Sequence, residues 1–326
     1  MKIKQLPEDF IVKELISKKP IGEGEYTWFT LKKVNWDTLA VLDLIAKKCG
    51  VSRNRFQYAG LKDRRAITYQ TVSAWNIPEN ILKNIKIKDA GLSDFDKNNK
   101  PIKTTDLKGN WFEIVVRDLK KPETKNIGRK IEKLKKGVIN LFDDQRFGVE
   151  GKNHLIGRLL VKKDFGGAVQ LFLKGNGRWE VDVEKYLSKN PGDFGGSING
   201  LPKNLKMLFV NAYQSYLWNT IAKSIKTKSN VKIPIIGYLT KLENYPKIKN
   251  QIENLLKKEE VKLEDFKGIF EKTSFPGDER DIFVKPKKAK WKVEKDELNK
   301  GKNKLVISFD LPKGSYGTYV IKSLLS

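Results

Sequence analysis

The segment Gly60-Leu61-Lys62-Asp63-Arg64-Arg65-Ala66-Ile67-Thr68-Tyr69-Gln70 sets one carboxylate among three cations on a turn that begins with glycine. Opposite charges nearby favour the ionised form of a carboxyl group, so Asp63 is expected to stay a carboxylate at neutral pH even beneath a bound substrate. An ionised Asp held in a closed site is a candidate nucleophile. The same residues also describe a basic surface turn whose Asp only pairs with an Arg, and structural ion pairs outnumber catalytic carboxylates. The residue types alone leave both readings open.

Two strand-like runs position the turn. Residues 56–59 precede it and residues 66–75 follow it, which puts Asp63 at a strand end facing solvent or substrate, where rigid scaffolds carry functional groups. Upstream, residues 9–15 and 26–34 read as strands, joined through Pro20, Gly22 and Gly24 as a hairpin or an adjacent pair. Asp37 stands at the N-cap of a helix with Val41, Leu44, Ile45 and Lys48 at helical spacing and Gly50 past its end, so its apolar face is expected on the sheet. The alternation at Ile85 and Ile87 predicts a short strand, then an irregular connection to about residue 109. Residues 111–117 are again strand-like, and a helix over 122–136 ends at Gly137. From about Asn153 the pattern turns helical, at 155–161, 168–173 and 211–225, with the glycine-rich stretch 192–200 between. Period-two alternation returns where Lys288, Lys290 and Lys292 interleave with Ala289, Trp291 and Val293, and at Leu305, Ile307 and Phe309. A helical block between two strand-rich segments is what an inserted domain leaves behind. No internal repeat is found.

The chain has 326 residues, 39% of them apolar, which is enough to bury more than one core and excludes global disorder. Its 65 Lys and Arg against 39 Asp and Glu give a net charge of +26, an electrostatic footprint that suits a polyanion, nucleic acid first. A lysine-rich proteome is the competing account of that charge. Cys49 is the only cysteine and His154 the only histidine, so intrachain disulfides, thiolate clusters and two-histidine metal sites are excluded. No Gly-x-Ser-x-Gly elbow or phosphate-binding Walker pattern occurs, and Gly22-Glu23-Gly24 begins a dinucleotide fingerprint without completing it. No cofactor and no metal are expected. With no apolar run long enough to span a membrane and no signal-peptide core in the first residues, the expected location is cytoplasmic, without a membrane or an obligate protein partner.

The string at Asp63 closely resembles the signature of the TruD family of tRNA pseudouridine synthases, Gly-x-Lys-Asp followed by a basic residue. Four further segments resemble the family pattern in chain order. They are Lys4 with Pro7-Glu8-Asp9-Phe10, Val12 and Glu14; Gly109-Asn110-Trp111-Phe112 with Arg117; Asn140-x-Phe142 through Gln145-Arg146-Phe147-Gly148; and Leu311-Pro312-Lys313-Gly314-Ser315-Tyr316-Gly317-Thr318. A weaker match lies at Asn211-Ala212-Tyr213-Gln214-Ser215, so the resemblance covers nearly the whole chain. Two positions depart from it. Asp143 stands where the family usually has Gly and Gly317 where Ala is usual. If the loop needs a positive φ at 143, Asp tolerates that region better than most residues, so a preserved loop is expected.

The resemblance implies an α+β fold with a pseudouridine-synthase-like mixed, largely antiparallel sheet flanked by helices. Residues 1–152 and 276–326 would form the catalytic domain and 153–275 an inserted, mostly helical TRUD domain. It implies isomerisation of the uridine at position 13 of tRNA, in the D arm, without a metal or organic cofactor. Asp63 becomes the catalytic carboxylate, with Phe10, Asn140 and Tyr316 around the target uridine. Phe142 could line the pocket or fill the core. Asp63 could attack the ribose C1′, add to C6 of the base, or help remove a ribose proton to give a glycal. Lys4 and Lys62 are candidates for holding its charge. Lys62 points to the opposite face if the backbone is extended, which favours Lys4 from a neighbouring strand. Arg64, Arg65 and Arg146 are read as phosphate contacts, although Arg146 could instead pair with Asp143 or Asp144. The lysines between Lys285 and Lys304 either track an RNA backbone or guard the edge of a solvated hairpin. Trp179 and the Gly175-Asn176-Gly177 turn are read as structural. The rival functions are a non-catalytic RNA-binding or RNA-folding protein, and a nucleic-acid hydrolase or glycosylase that also uses an Asp.

Overall fold

The computed structural model describes all residues except Val149, Asn176, Lys228, Lys272 and Ser326, so the centre of the Gly175-Asn176-Gly177 turn lies outside the described residues. The chain divides into two compact units, residues 1–137 with 285–326, and residues 138–284. In chain order the first unit contributes β1 (Lys2–Ile3), β2 (Phe10–Ile16), β3 (Tyr26–Val34), α1 (Thr38–Lys48), β4 (Phe56–Tyr58), β5 (Ile67–Trp75), α2 (Glu79–Lys83), β6 (Ala90–Asn98), β7 (Leu107–Leu119), α3 (Lys121–Lys125) and α4 (Ile127–Lys135). The second unit follows, with β8 (Val138–Ile139), α5 (Asn153–Val161), α6 (Phe165–Phe172), α7 (Arg178–Lys189), α8 (Phe194–Asn199), α9 (Lys203–Ser224), β9 (Lys232–Ile235), α10 (Lys249–Glu259), β10 (Asp278–Asp281) and β11 (Phe283–Val284). The chain then returns to the first unit with β12 (Lys287–Lys295), β13 (Asn303–Pro312) and α11 (Gly317–Leu325).

The first unit is built on one nine-stranded sheet in the order β12-β13-β7-β2-β5-β3-β6, with β1 on β7 and β4 on β5. Among the described residues only the β2–β5 pair is parallel, so the α+β class with a largely antiparallel mixed sheet holds. The strands over 9–15 and 26–34 are not neighbours. β3 pairs along all nine of its residues with β5, from Tyr26 opposite Trp75 to Val34 opposite Ile67, and β5 thereby fills the place beside β2. The alternation at Ile85 and Ile87 makes only an isolated bridge from Ile87 to Ala90, and the strand proper is β6. Both isoleucines pack instead on the core beneath α1. The helix over 122–136 is broken at Asn126 into α3 and α4.

Asp37 caps α1, its carboxylate accepting from the amides of Leu39 (2.8 Å) and Ala40 (3.1 Å), and the stripe Val41, Leu42, Ile45 and Ala46 is buried against Phe29, Leu31, Phe56, Val72 and Ala74. Full burial of such side chains is worth about 1.5–3 kcal/mol each. Gly109 is required where β7 meets β13, because a Cβ there would stand 2.1 Å from the carbonyl oxygen of Leu311. The N- and C-terminal parts of the unit are joined by Arg117. Its buried guanidinium pairs with Asp9 (2.9 Å), Asp296 (3.0 Å) and Glu297 (3.0 Å). Burial alone would raise the Asp296 pKa. Hydrogen bonds from the Asp118 amide, Asn299, the Leu298 amide and Arg117 outweigh it and draw the value down to about 2.

In the second unit α9 is buried through Phe209, Val210, Tyr213, Leu217, Trp218 and Ile221. The compact units change hands at 137/138 and 284/285. Within the second unit β8 pairs with β11 and β10 with β9. The glycine-rich stretch 192–200 contains α8. Asp193-Phe194-Gly195-Gly196 starts α8 as Asp164-Phe165-Gly166-Gly167 starts α6, each carboxylate accepting from the amide three residues on at 2.8 Å. α6 and α8 also pack on each other. A short repeat therefore exists, visible once both copies are seen as helix starts. No helix among the described residues is long and apolar enough to cross a membrane.

Candidate active site

Asp63 lies on the loop between β4 and β5, and the loop is pinned along its length. The Gly60 carbonyl accepts from Gln70 Nε2 (3.4 Å), the Lys62 amide donates to Thr38 Oγ1 (3.2 Å), and Thr38 Oγ1 donates to Gln70 Oε1 (3.2 Å). Beyond Asp63, the Ala66 amide turns back to the Arg64 carbonyl (2.9 Å) and the Ala66 carbonyl accepts from Asn35 (3.3 Å). A functional group must be held by packing and hydrogen bonds around it, and here helix α1 and strand β5 supply them.

Two ammonium groups converge on this one residue. Lys4 Nζ donates to the Asp63 carboxylate at 2.8 Å, both side chains being 22% exposed, and Lys33 Nζ donates to the Asp63 backbone carbonyl at 2.9 Å. Lys4 follows β1 with φ 61°, a left-handed conformation uncommon for a residue with a side chain and held only where surroundings enforce it. Its ammonium also lies 4.0 Å from the centre of the Phe10 ring, so one cation joins carboxylate and aromatic face. Lys62 goes elsewhere. It lies 2.6 Å from Glu14 Oε1, where burial pushes the Glu14 carboxyl pKa up against the pull of Lys62.

Lys33 carries a role that sequence reasoning missed. It is fully buried and also donates to the Trp36 carbonyl at 2.7 Å, clamping the end of β3 to the Asp63 loop. Burial lowers its pKa to about 8, against the opposing charges of Asp37 and Asp63 and with Lys62 adding to the fall. The signal was available, because Lys33 falls at period two on the side of Phe29 and Leu31, a cation on an otherwise apolar face.

Arg64 and Arg65 are exposed, and Arg65 lines a cavity of about 230 Å³ with Lys4, Gln5, Leu6, Pro7 and Asn35. Phe10 is 2% exposed and meets Phe112 edge-on, with ring centres 6.1 Å apart. Phe112 in turn abuts Gly317, where a Cβ would stand 2.9 Å from the ring. Gly in place of the family's usual Ala is thus matched to the position of Phe112. Tyr316, half-buried, opens α11 by accepting from the Val320 amide (3.2 Å). Lys4, Phe10 and Asp63 therefore belong to one connected neighbourhood of the first unit, which reaches the residue after Tyr316 through Phe112.

Asn140, Phe142 and Arg146 belong to the second unit and form a cluster of their own. Asn140 accepts from Arg280 through both its backbone carbonyl (2.7 Å) and its Oδ1 (2.8 Å), while its Nδ2 donates to the Asp281 carbonyl (3.2 Å). Phe142 is gripped by the Asn219 side chain, which bonds its amide and its carbonyl at 2.9 Å each. Its ring meets Trp218 edge-on at 5.7 Å and receives the Arg280 guanidinium at 4.1 Å. Arg146 donates to Ser215 Oγ (3.0 Å) and lines a cavity of about 310 Å³ with Phe142, Asn211, Gln214 and Ser215. Asp143 has φ −85° and ψ 167°, and its side chain accepts from the Asp144 amide (2.9 Å). This extended backbone suits any residue, so Asp replaces Gly without strain and caps the turn that carries Arg146. Arg280 and Asn219 were missed by sequence reasoning, since nothing in local spacing points to partners 140 and 77 residues away. Among the described residues no cluster of three or more His, Cys, Asp or Glu is placed to hold a metal ion.

The family model described as tRNA pseudouridine synthase D (TruD) matches residues 1–180, 173–228 and 221–324. A Methanocaldococcus jannaschii protein named "Probable tRNA pseudouridine synthase D 1" is 32% identical over 382 residues, covering 99% of this chain and 95% of the relative. A Pyrococcus abyssi protein named "Probable tRNA pseudouridine synthase D" is 30% identical over 400 residues, with the same two shares. A Methanosarcina mazei crystal structure described as "Putative tRNA pseudouridine synthase D (TruD)" superposes with a TM-score of 0.75 at 28% identity, over 99% of this chain and 93% of that one. Matched from end to end in sequence and in fold, the chain belongs to the tRNA pseudouridine synthase D (TruD) family.

Proposed function

We propose that this chain isomerises the uridine at position 13 of tRNA, in the D arm, to pseudouridine, with Asp63 as the catalytic carboxylate. The observation that carries the reading is the pair of contacts at the signature loop, where Lys4 holds the Asp63 carboxylate and at the same time lies on the face of Phe10. The reaction breaks the bond from ribose C1′ to base N1, turns the base, and rejoins it through C5. Atoms and electrons balance within the nucleotide, so the enzyme needs a group that attacks or moves a proton, and no external reagent. Attack of Asp63 on C1′, addition to C6 and assisted removal of a ribose proton all start from the anion, which Lys4 orients and charge-balances.

The target must leave its stack, at a cost of a few kcal/mol. Phe10 and Tyr316 are assigned to the surroundings of the target uridine, where a ring stacked on a base is worth about 1–3 kcal/mol. The second unit carries Asn140 and Phe142. With one Nδ2 hydrogen given to Asp281, Asn140 has one left for a uracil carbonyl. Arg64 and Arg65 are assigned to phosphates near the Asp63 loop, and Arg146 to a phosphate on the second unit. Residues 1–152 and 276–326 are assigned to the catalytic domain and 153–275 to the insert.

The deciding experiment is a mass-resolved pseudouridine assay on an unmodified tRNA transcript. Product at position 13 is expected. Product only at another position would overturn the site assignment, free uracil would indicate a glycosylase, and salt-sensitive binding without product would indicate an RNA-binding protein. In the same assay, Lys4→Met is expected to lower kcat by about 10²-fold, as loss of one preorganised charged donor does, with KM for tRNA little changed. Lys4→Arg should recover part of the loss. A Lys4→Met enzyme with wild-type kcat would remove Lys4 from the mechanism.

A further inference from the structure

The face of the large sheet opposite α1 carries a row of alternating cations and rings that the isomerisation does not use. In register across four adjacent strands stand Trp111 on β7, Lys13 on β2, Tyr69 on β5 and Lys32 on β3. The Lys13 ammonium lies 4.9 Å from the Trp111 ring and 5.0 Å from the Tyr69 ring, and that of Lys32 lies 5.8 Å from Tyr69. Side chains alternate across a strand, so the neighbours of these four point the other way, and Val12, Leu31, Lys33, Gln70 and Phe112 are all buried. The row itself is open, with both lysines exposed and both rings half-exposed.

The chemistry of this face is specific. Neither Lys13 nor Lys32 has a carboxylate partner among the described residues; each is balanced only by a ring face. The carboxylate next in the row, Asp310 opposite Trp111, is paired with Lys288 at 3.2 Å. A surface with large aromatic faces and uncompensated cations suits a ligand that has flat rings and negative charge in alternation. A protein partner would have to bring carboxylates to two isolated lysines, whereas a nucleotide chain brings a phosphate with every base. Trp111 and Tyr69 are two strands apart, about 9–10 Å, a span that two splayed nucleotides cover. Exposed aromatics on an antiparallel sheet stack unpaired bases in this way, tolerant of sequence because every base has a π-face.

We propose that this open sheet face is a second RNA-contacting surface, which stacks one unpaired base on Trp111 and one on Tyr69 while Lys13 and Lys32 meet the phosphates. The proposal deepens the RNA reading given above and rests on it for the identity of the natural ligand. Its role is to hold single-stranded parts of the substrate at a place that carries none of the residues assigned to the reaction.

The test uses the full chain and a short fluorescent oligouridylate, with Kd measured by anisotropy at several salt concentrations. Trp111→Ala and Tyr69→Ala are each expected to raise Kd about 10-fold. Because truncating Trp111 could disturb the sheet, the exposed pair Lys13→Gln with Lys32→Gln provides an independent arm. Loss of two phosphate contacts should make the slope of log affinity against log salt shallower by about 1.4. At saturating tRNA the lysine double variant should keep wild-type pseudouridine formation and show a raised KM. Oligouridylate affinity and salt slope equal to wild type in all these variants would overturn the proposal. Failure of the enzymatic reading would show separately, as absent product from the wild-type protein itself.

Discussion

Asp63→Asn is expected to remain folded and to bind tRNA as well as the wild type, while pseudouridine formation falls by about 10⁴-fold or more, the scale seen when a residue that itself reacts is removed. The substitution keeps size and shape. Lys33 still finds the residue 63 carbonyl, and the loop keeps its bonds to Thr38, Gln70 and Asn35, none of which involves the carboxylate. What disappears is the anion, and with it attack at C1′, addition at C6 and proton removal alike. Binding should not suffer, because deleting a negative charge beside a polyanion removes repulsion if it does anything. Single-turnover kinetics with saturating enzyme, beside a direct Kd, separate the two effects. An Asp63→Asn enzyme within tenfold of the wild-type rate would exclude the assigned role, and an equal fall in binding and rate would make Asp63 a recognition residue.

Arg117→Met is expected to be the most destabilising single change in the first unit, by about 3–5 kcal/mol, because it strands two buried carboxylates without their cation. For a unit of this size that corresponds to a fall in Tm of about 10 °C. Asp9, Arg117 and Asp296 come from β2's approach, from β7 and from the turn after β12, so their loss loosens the union of the two ends of the chain. The pH dependence follows from the buried Asp296, drawn down to about 2 in the folded protein by the Asp118 amide, Asn299, the Leu298 amide and, with them, Arg117. A depressed carboxylate contributes stability above its unfolded pKa and loses it as pH falls through the folded one. The wild-type advantage over Arg117→Met should therefore be full at pH 7 and shrink between about pH 4 and pH 2. Urea unfolding of both proteins at several pH values in that range tests this. A difference under about 1 kcal/mol at pH 7 would mean that the pairs are solvated and weak.

Features that depend on a few consecutive residues are legible in the amino-acid order. Asp37 caps α1 because a short side-chain acceptor beside a helix start finds the free amides two and three residues on. Period-two alternation marked most of the strands, and with them the α+β class, because a half-buried strand must alternate. The family membership was legible for the same reason, since its motifs are short strings. Where local pattern misled, a long-range choice had intervened. β5 took the place beside β2 and β3, and Ile85 and Ile87 entered the α1 core instead of a strand. The repeated Asp-Phe-Gly-Gly helix starts were too short to stand out until both were seen folded.

Which charges meet is settled by the folded chain. Lys62 is next to Asp63 in the chain yet serves Glu14, while Lys4, 59 residues away, reaches the carboxylate. Lys33 and Arg280 hold the two motif segments from 30 and 140 residues off. A sequence states which side chains carry charge, but burial and direction select among many possible partners. Both are properties of the assembled sheet and helices, and they depend on contacts whose spacing along the chain has no period.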